Sequence, residues 1–376
     1  MGSVLQSIEA KRIAVCVGSG GVGKTTVAAA IALDRAMRGG RALVCTFDPA
    51  RRLANALGLE SLGNVEAHVA EHKFAEAGLR PKGQLFAMML DVKRTWDDLI
   101  ARHAPDRARL KRILDNRIYQ QLSTVLAGSQ EYMAMEKLYE LATERSYDLV
   151  VLDTPPTAHA LDFLDAPDRI LDFLGNDTAR SLLAPAGRMG FKLFQLGGSY
   201  VAKTLARFTG ADVLSDLAEF MATFQGMYDG FKERATAVHE LFSRPDVGFV
   251  LVASPSPRSI DEALFFHERL HAESMPIAGA VANRVTRDLW PEGMPVPAAA
   301  ELADALAASH GVGLDDLRGL AERLALTIDE HQRVARVDLR EIERLFRGVG
   351  GARAAIPRLE TDVHDLGGLA LLAERL

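Results

Sequence analysis

The chain has 376 residues, 48% hydrophobic and 25% charged, with a formal net charge of −6. That length allows one large domain or two ordinary ones, and the negative balance excludes a general attraction to nucleic acid or to an anionic membrane. The only two cysteines, Cys16 and Cys45, exclude a disulfide framework and a four-cysteine metal site. No apolar run reaches the roughly 18 residues of a membrane span, and no signal-peptide pattern opens the chain, so a soluble cytoplasmic protein is expected.

In chain order, "RIAVCVG" (12–18) is a short continuous apolar run followed by glycines, the pattern of a buried parallel strand. From Lys24 to about Met37 the residues are strong helix formers, stopped by Gly39 and Gly40. "RALVCTF" (41–47) is a second strand, ending on Asp48 and Pro49. Strand, glycine loop, helix, strand is a βαβ unit and predicts a parallel sheet. Later runs of the same kind are "LFAMML" (85–90), "YDLVVLD" (147–153), "VGFVLVA" (247–253) and "IAGAVAN" (277–283).

Between about 92 and 243 the texture is helical and rich in Leu, Phe and Met. Val213, Leu217, Phe220, Phe224, Met227, Phe231, Val238 and Leu241 fall mostly three or four apart, one face of a long helix that ends before Pro245. Residues 188–210 form an apolar, glycine-interrupted stretch containing Phe191, Leu193, Phe194 and Leu196. Either this region is the core of a helical subdomain, or part of it is left open to an apolar partner. The expected class is therefore α/β, a P-loop NTPase with a mostly parallel sheet flanked by helices and a large helical insertion. Its core is expected over 1–91, 147–165 and 244–376, and its helical subdomain over 92–146 and 166–243.

The chemistry concentrates in "VGSGGVGKTT" (17–26), where Gly18, Gly23, Lys24 and Thr25 satisfy G-x-x-x-x-G-K-[ST]. Backbone N–H groups of Gly20, Gly21, Val22, Gly23, Lys24, Thr25 and Thr26 are placed to converge on phosphates, aided by the helix N-terminus. Lys24 is expected to reach the β- and γ-phosphates and Thr25 to ligate Mg²⁺. Such a site also needs an acid for the magnesium shell and a group to orient the attacking water. Asp48 and Asp153 each end a strand at the carboxyl edge of the sheet, where ligands bind in open α/β folds. An aspartate after a strand is also a common helix N-cap. A guanine reader of the Asn-Lys-x-Asp type has Asn283 here but Thr286 in place of the aspartate, which points to ATP.

With "GSGGVGKTT", "FDPARRL", "AGSQEYMAMEKL", "VVLDTPPTAHALDFL", "VASPSPRSIDEA" and "VANRV" in that order, the chain resembles the arsenical-pump ATPase family, and in particular its bacterial anion-transporting homologues. That family includes the ATPase that targets tail-anchored proteins. The resemblance spans about residues 10 to 290. It implies that Asp48 lies in switch I and positions the attacking water, that Asp153 lies in switch II and senses magnesium, and that Asn283 contacts adenine. Thr25, Asp48 and Asp153 are then the implied metal set, with Lys24 and Asp48 catalytic. It also implies a dimer and a hydrophobic client groove in the helical insertion.

Three features depart from the family pattern. Ser19 stands where the family's loop has a lysine that crosses the dimer interface to the partner's phosphates. There is no Cys-x-x-Cys pair, so shared zinc is not expected, and no cysteine beyond Cys45, so arsenite sensing is not expected. Substitutes for the lysine are Arg51 or Arg52 after switch I, a heteromeric partner with an intact lysine loop, or slow hydrolysis; the two arginines also read as a solvated helix turn.

Function then reads as an ATP-driven dimeric switch, homodimer or heterodimer, opening and closing a helical surface for a hydrophobic protein client or membrane partner. The alternative is a membrane- or nucleoid-associated positioning ATPase, against which the acidic C-terminal "DVHDLGGLALLAERL" and the overall charge both count. A small-molecule ligase or kinase on the same core finds no second acid/base constellation. His159 and His239 are single histidines on expected helices.

Overall fold

The computed structural model describes residues 2–47, 52–117, 119–120, 123, 129–154, 228–288, 297–310, 314–359 and 361–376. Its strands are β1 (Ile13–Val17), β2 (Arg41–Thr46), β3 (Ala67–His68), β4 (Gln84–Met89), β5 (Leu149–Asp153), β6 (Val247–Ala253), β7 (Ile277–Val285) and β8 (Arg353–Pro357). Among the described residues they form one eight-stranded sheet in the order β3-β4-β2-β5-β1-β6-β7-β8. Every pairing is parallel except the short β3 against β4.

Strands buried on both faces read as unbroken apolar runs, which is why β1, β5 and β6 are legible in sequence. Alternate side chains feed two cores. Ile13, Val15, Val17, Leu43, Cys45, Val150, Leu152 and Phe249 face one side. There they meet Trp96 and Leu99 of α5 (Val92–His103), Tyr132 and Leu138 of α7 (Ser129–Glu144), and Val238 and Leu241 of α8 (Tyr228–Phe242). Ala14, Cys16, Val44, Val151 and Val252 face the other side, against α1 (Val4–Ile8), α2 (Lys24–Met37) and α12 (Leu366–Ala373).

Between these lie α3 (Arg52–Ala56), α4 (Glu71–Glu76), α6 (Arg107–Asp115), α9 (Pro257–Ala272), α10 (Ala299–His310) and the 36-residue α11 (Leu314–Val349). At 1.5 Å per residue α11 is about 54 Å long, packing on α9, α10 and β7. It carries exposed Leu326, Val334 and Val337. The last helix, α12, buries Leu366, Leu369 and Leu372 against α2, each worth about 1.5–3 kcal/mol. The Leu376 carbonyl oxygen accepts from the Val4 N–H at 2.6 Å, closing the chain's end on its start. The final segment is thus part of the core.

The predicted helix over Lys24 to Met37 and the strand ends at Asp153 and Ala253 coincide with the observed bounds. Of the 213–241 stripe, the structure describes the part from Tyr228, where Val238 and Leu241 are buried in the shared core. The 188–210 stretch and the rest of the stripe lie outside the described residues.

Candidate nucleotide site

Strand order reverses around β1. Chain leaves β1 through α2 to β2 on one side, and later returns to β6 on the other, with β5 between β1 and β2. A loop at the carboxyl end of β1 therefore opens into the crevice where ligands bind in such sheets. Gly18 begins that loop with φ +154°, and a Cβ there would be driven into the backbone carbonyl oxygen of Val252 on β6. Only glycine fits.

Gly23 ends the loop at φ +93° as the N-cap of α2, and α2 has no side-chain cap. Its first-turn N–H groups and its dipole thus face the loop's concave side, a ready seat for an anion. Lys24, 6% exposed, is the first residue of that helix. Its ammonium donates to the Gly18 carbonyl at 2.9 Å and the Ser19 carbonyl at 3.0 Å.

Asp153, 2% exposed, closes β5 directly beside β1, with Cys16 as its register partner. Its Oδ2 accepts from the Thr25 hydroxyl at 2.6 Å and from the Thr46 hydroxyl at 2.7 Å. Hydroxyl donors to a carboxylate at these distances are charge-assisted and strong. One carboxylate thereby ties the loop's helix to the last residue of β2, two residues before Asp48. Thr154 is held too, its hydroxyl donating to the Cys16 carbonyl at 2.9 Å.

Asn283 lies on β7, 6% exposed. Its Nδ2 donates to the Val22 carbonyl at 2.7 Å, and its Oδ1 accepts from the Arg284 N–H at 2.9 Å. Loop, helix start, Thr25, Asp153 and Asn283 are thus all assembled at one edge of the sheet.

A family profile described as anion-transporting ATPase matches residues 11–292. The chain belongs to that ATPase family. Among similar proteins, ATPase GET3C of Arabidopsis thaliana is 24% identical over 287 residues, 74% of this chain and 68% of its own. ATPase GET3 of Rhodotorula glutinis is 26% identical over 278 residues, 73% of this chain and 69% of its own. A protein of Prosthecochloris vibrioformis named as an arsenical pump-driving ATPase is 30% identical over 159 residues, 42% of this chain and 36% of its own.

For an ATPase of this family the residues present suit nucleotide and magnesium. Lys24 and the uncapped first turn of α2 supply a cation and N–H donors for phosphate, and Thr25 with Asp153 supplies the hard oxygen donors that Mg²⁺ prefers. Of the two aspartates expected at the site, the structure brings Asp153 to Thr25, whereas Asp48, like Arg51, lies outside the described residues. Arg52 is exposed at the start of α3.

Ser19 is half-buried, and its hydroxyl shares a 3.0 Å hydrogen bond with the Ser259 hydroxyl. Ser259, 6% exposed, also accepts from the Ser254 N–H at 3.1 Å. Ser19 is therefore engaged within its own chain, with the first turn of α9.

Two residues escaped the sequence reading. Thr46 is one, since a hydroxyl on the last residue of an apolar strand has no periodic signature; only its place at the sheet's carboxyl edge hints at a role. Ser259 is the other, visible only as one more serine in "SPSPRS".

The cysteines are poor soft ligands. Burial, reinforced by Asp153 and only partly opposed by Lys24, holds the Cys16 thiol far above its ordinary value. Burial pushes Cys45 up to about 12, with Lys137 opposing. His239 is half-buried on α8, away from the loop's sheet edge, and His159 lies outside the described residues.

Proposed function

We propose that this ATPase is a dimeric, Mg²⁺-dependent switch in which ATP occupancy reshapes a helical surface that takes a hydrophobic client or membrane partner. The observation that carries the reading is the single Asp153 oxygen shared by Thr25 and Thr46. The γ-phosphate end of the site and the stem of switch I are then joined at one atom, so a change at Thr25 is felt at β2 and β5 together.

In this reading Lys24 exchanges its two carbonyl acceptors for phosphate oxygens, which bear full charge and make stronger bonds. Thr25 and Asp153 hold the magnesium, Asp48 completes its shell and positions the attacking water, and Asn283 faces the adenine. Bound magnesium neutralises charge on the β- and γ-phosphate oxygens. The loop N–H groups from Gly20 to Thr26 cradle the phosphates.

The client surface is assigned to 92–146 and 166–243, and the ATPase core to 1–91, 147–165 and 244–376. In the described part, α5, α7 and α8 share one buried core with the sheet, so movement at β5 is transmitted by direct packing. Because Ser19 brings no cation, the partner is either a second copy with a slow cycle or a homologous chain whose loop has the lysine. A cytoplasmic location suits such a switch.

The test is analytical ultracentrifugation of the full chain with Mg-ADP and with a non-hydrolysable ATP analogue and Mg²⁺. A dimer whose sedimentation coefficient rises with the analogue, and does not in Lys24→Ala, is expected. A monomer in both states overturns the dimeric reading.

A further inference from the structure

We propose that Asn283 is a positioning residue for the phosphate loop itself, fixing one peptide of the anion cradle from a strand 261 residues away. The inference rests on the reading of the loop as a triphosphate site. It adds to the adenine contact a role that operates when no base is present.

The argument begins with the peptide between Val22 and Gly23. None of the described peptide bonds is cis, and in a trans peptide the C=O and the following N–H point in opposite directions. Drawing the Val22 carbonyl to Asn283 Nδ2 at 2.7 Å therefore turns the Gly23 N–H the other way, away from β7 and into the concave side of the loop. Without an anchor this peptide has wide freedom, because Gly23 sits at φ +93°, between glycine-rich loop and helix. A Cβ on Gly23 would collide with Asn283 Nδ2, so the amide lies directly over that α-carbon.

The amide is itself fixed. The Arg284 N–H can only donate and the Val22 carbonyl can only accept, so Oδ1 must face the first and Nδ2 the second. A flipped amide would lose both bonds. Arg284 itself adopts φ +62°, an uncommon conformation for a non-glycine residue, at an irregularity in the β7–β8 register.

The strand end that carries this turn is braced from outside. The Thr286 N–H donates to Asp338 at 2.9 Å, and Asp338 is a 7% exposed carboxylate on α11. The His331 ring, on the same helix, bonds the Arg287 carbonyl at 2.8 Å. The path from α11 through Thr286 and Asn283 to Val22 thus consists of covalent links and hydrogen bonds only.

Asn283 keeps capacity to spare. Of two Nδ2 hydrogens and two Oδ1 lone pairs, one of each is used by Val22 and Arg284. The remaining donor and acceptor match N7 and the N6 amino group of adenine. Clamping the loop and reading the base are therefore compatible, and each supports the other by holding the amide still.

The experiment separates the two roles by using a ligand without a base. Isothermal titration of the full chain with Mg-ATP and with Mg-tripolyphosphate is compared for wild type, Asn283→Ala and the size-conserving Asn283→Leu. The clamp predicts that both variants lose affinity for tripolyphosphate as well as ATP, by about three- to tenfold for one neutral hydrogen bond. Loss of ATP affinity with tripolyphosphate binding unchanged overturns the clamp and leaves Asn283 a base contact. Failure of the wild type to bind either ligand, or equal binding by Lys24→Ala, instead overturns the phosphate-loop reading.

Should both variants fail to fold, the wild type answers alone. In amide-resolved NMR one Asn283 side-chain proton should exchange slowly, and its resonance should shift on adding tripolyphosphate. Solvent-like exchange of both protons, with no shift, overturns the proposal.

Discussion

On the proposed dimeric reading, Ser19→Lys supplies a cation aimed at the partner's phosphates, and its structural cost is small. The hydroxyl of Ser19 makes one described bond, 3.0 Å to Ser259, and losing a neutral hydroxyl pair costs about 1 kcal/mol. The Ser259 oxygen still accepts from the Ser254 N–H at 3.1 Å. In a chain of this length that amounts to a Tm decrease of about 2 °C. Against it stands the gain from a cation aimed at transferring phosphate, which in related chemistry is worth ~10³–10⁵ in kcat, or about 4–7 kcal/mol. Capturing even a quarter of that energy raises turnover about tenfold. The assay is steady-state phosphate release from Mg-ATP across a protein-concentration series, with a melting curve for each variant. Turnover should rise, and specific activity should increase with concentration because the lysine acts on a partner's phosphates. An unchanged rate in a variant with near-wild-type Tm, beside a brisk wild-type rate abolished by Lys24→Ala, refutes the reasoning.

Gly18→Ala pushes a Cβ into the Val252 carbonyl, a backbone atom of β6 that has no rotamer to change. A loss of about 3 kcal/mol or more is expected, read as a lower urea midpoint; a midpoint within error of wild type would show that the strands separate easily. Thr46→Val keeps the shape but removes one of the two hydroxyl donors described at Oδ2 of the buried Asp153. About 2 kcal/mol of stability should be lost at an unchanged denaturant slope, and weaker magnesium-dependent ATP binding should accompany it; no change in either makes the Thr46 bond incidental. His103 has its pKa lowered from 6.5, first by burial and then by Arg234 and Arg102. A histidine held neutral in the fold contributes stability fully above its unfolded pKa and loses it as pH falls from about 6.5 towards the lower folded value. The urea midpoint of His103→Gln should therefore vary less than wild type over that window; identical profiles would assign the acid sensitivity elsewhere.

How much of this was legible depended on the range of the signal. The β1–α2–β2 unit was readable to the residue at Lys24 and Met37, because an apolar run, a glycine loop and helix formers are all local patterns. Asp153 was readable because it ends a strand that is apolar throughout. The partners of these residues were not. Ser19 meets Ser259 across 240 residues and Asn283 meets Val22 across 261, distances over which no period links one side chain to another. The short edge strand β3 and the outer β8, whose burial alternates, are too brief for the continuous-run rule. Arg284 at φ +62° is a tertiary accommodation that no residue type announces.

The most direct measurement is single-turnover phosphate release from pre-bound Mg-ATP in the wild type, Asp48→Asn and Lys24→Ala. The account predicts release by the wild type, tight ATP binding without release by Asp48→Asn, and weak binding by Lys24→Ala. Release at the wild-type rate from Asp48→Asn would contradict it, because the water would then be positioned by some group other than the switch I aspartate.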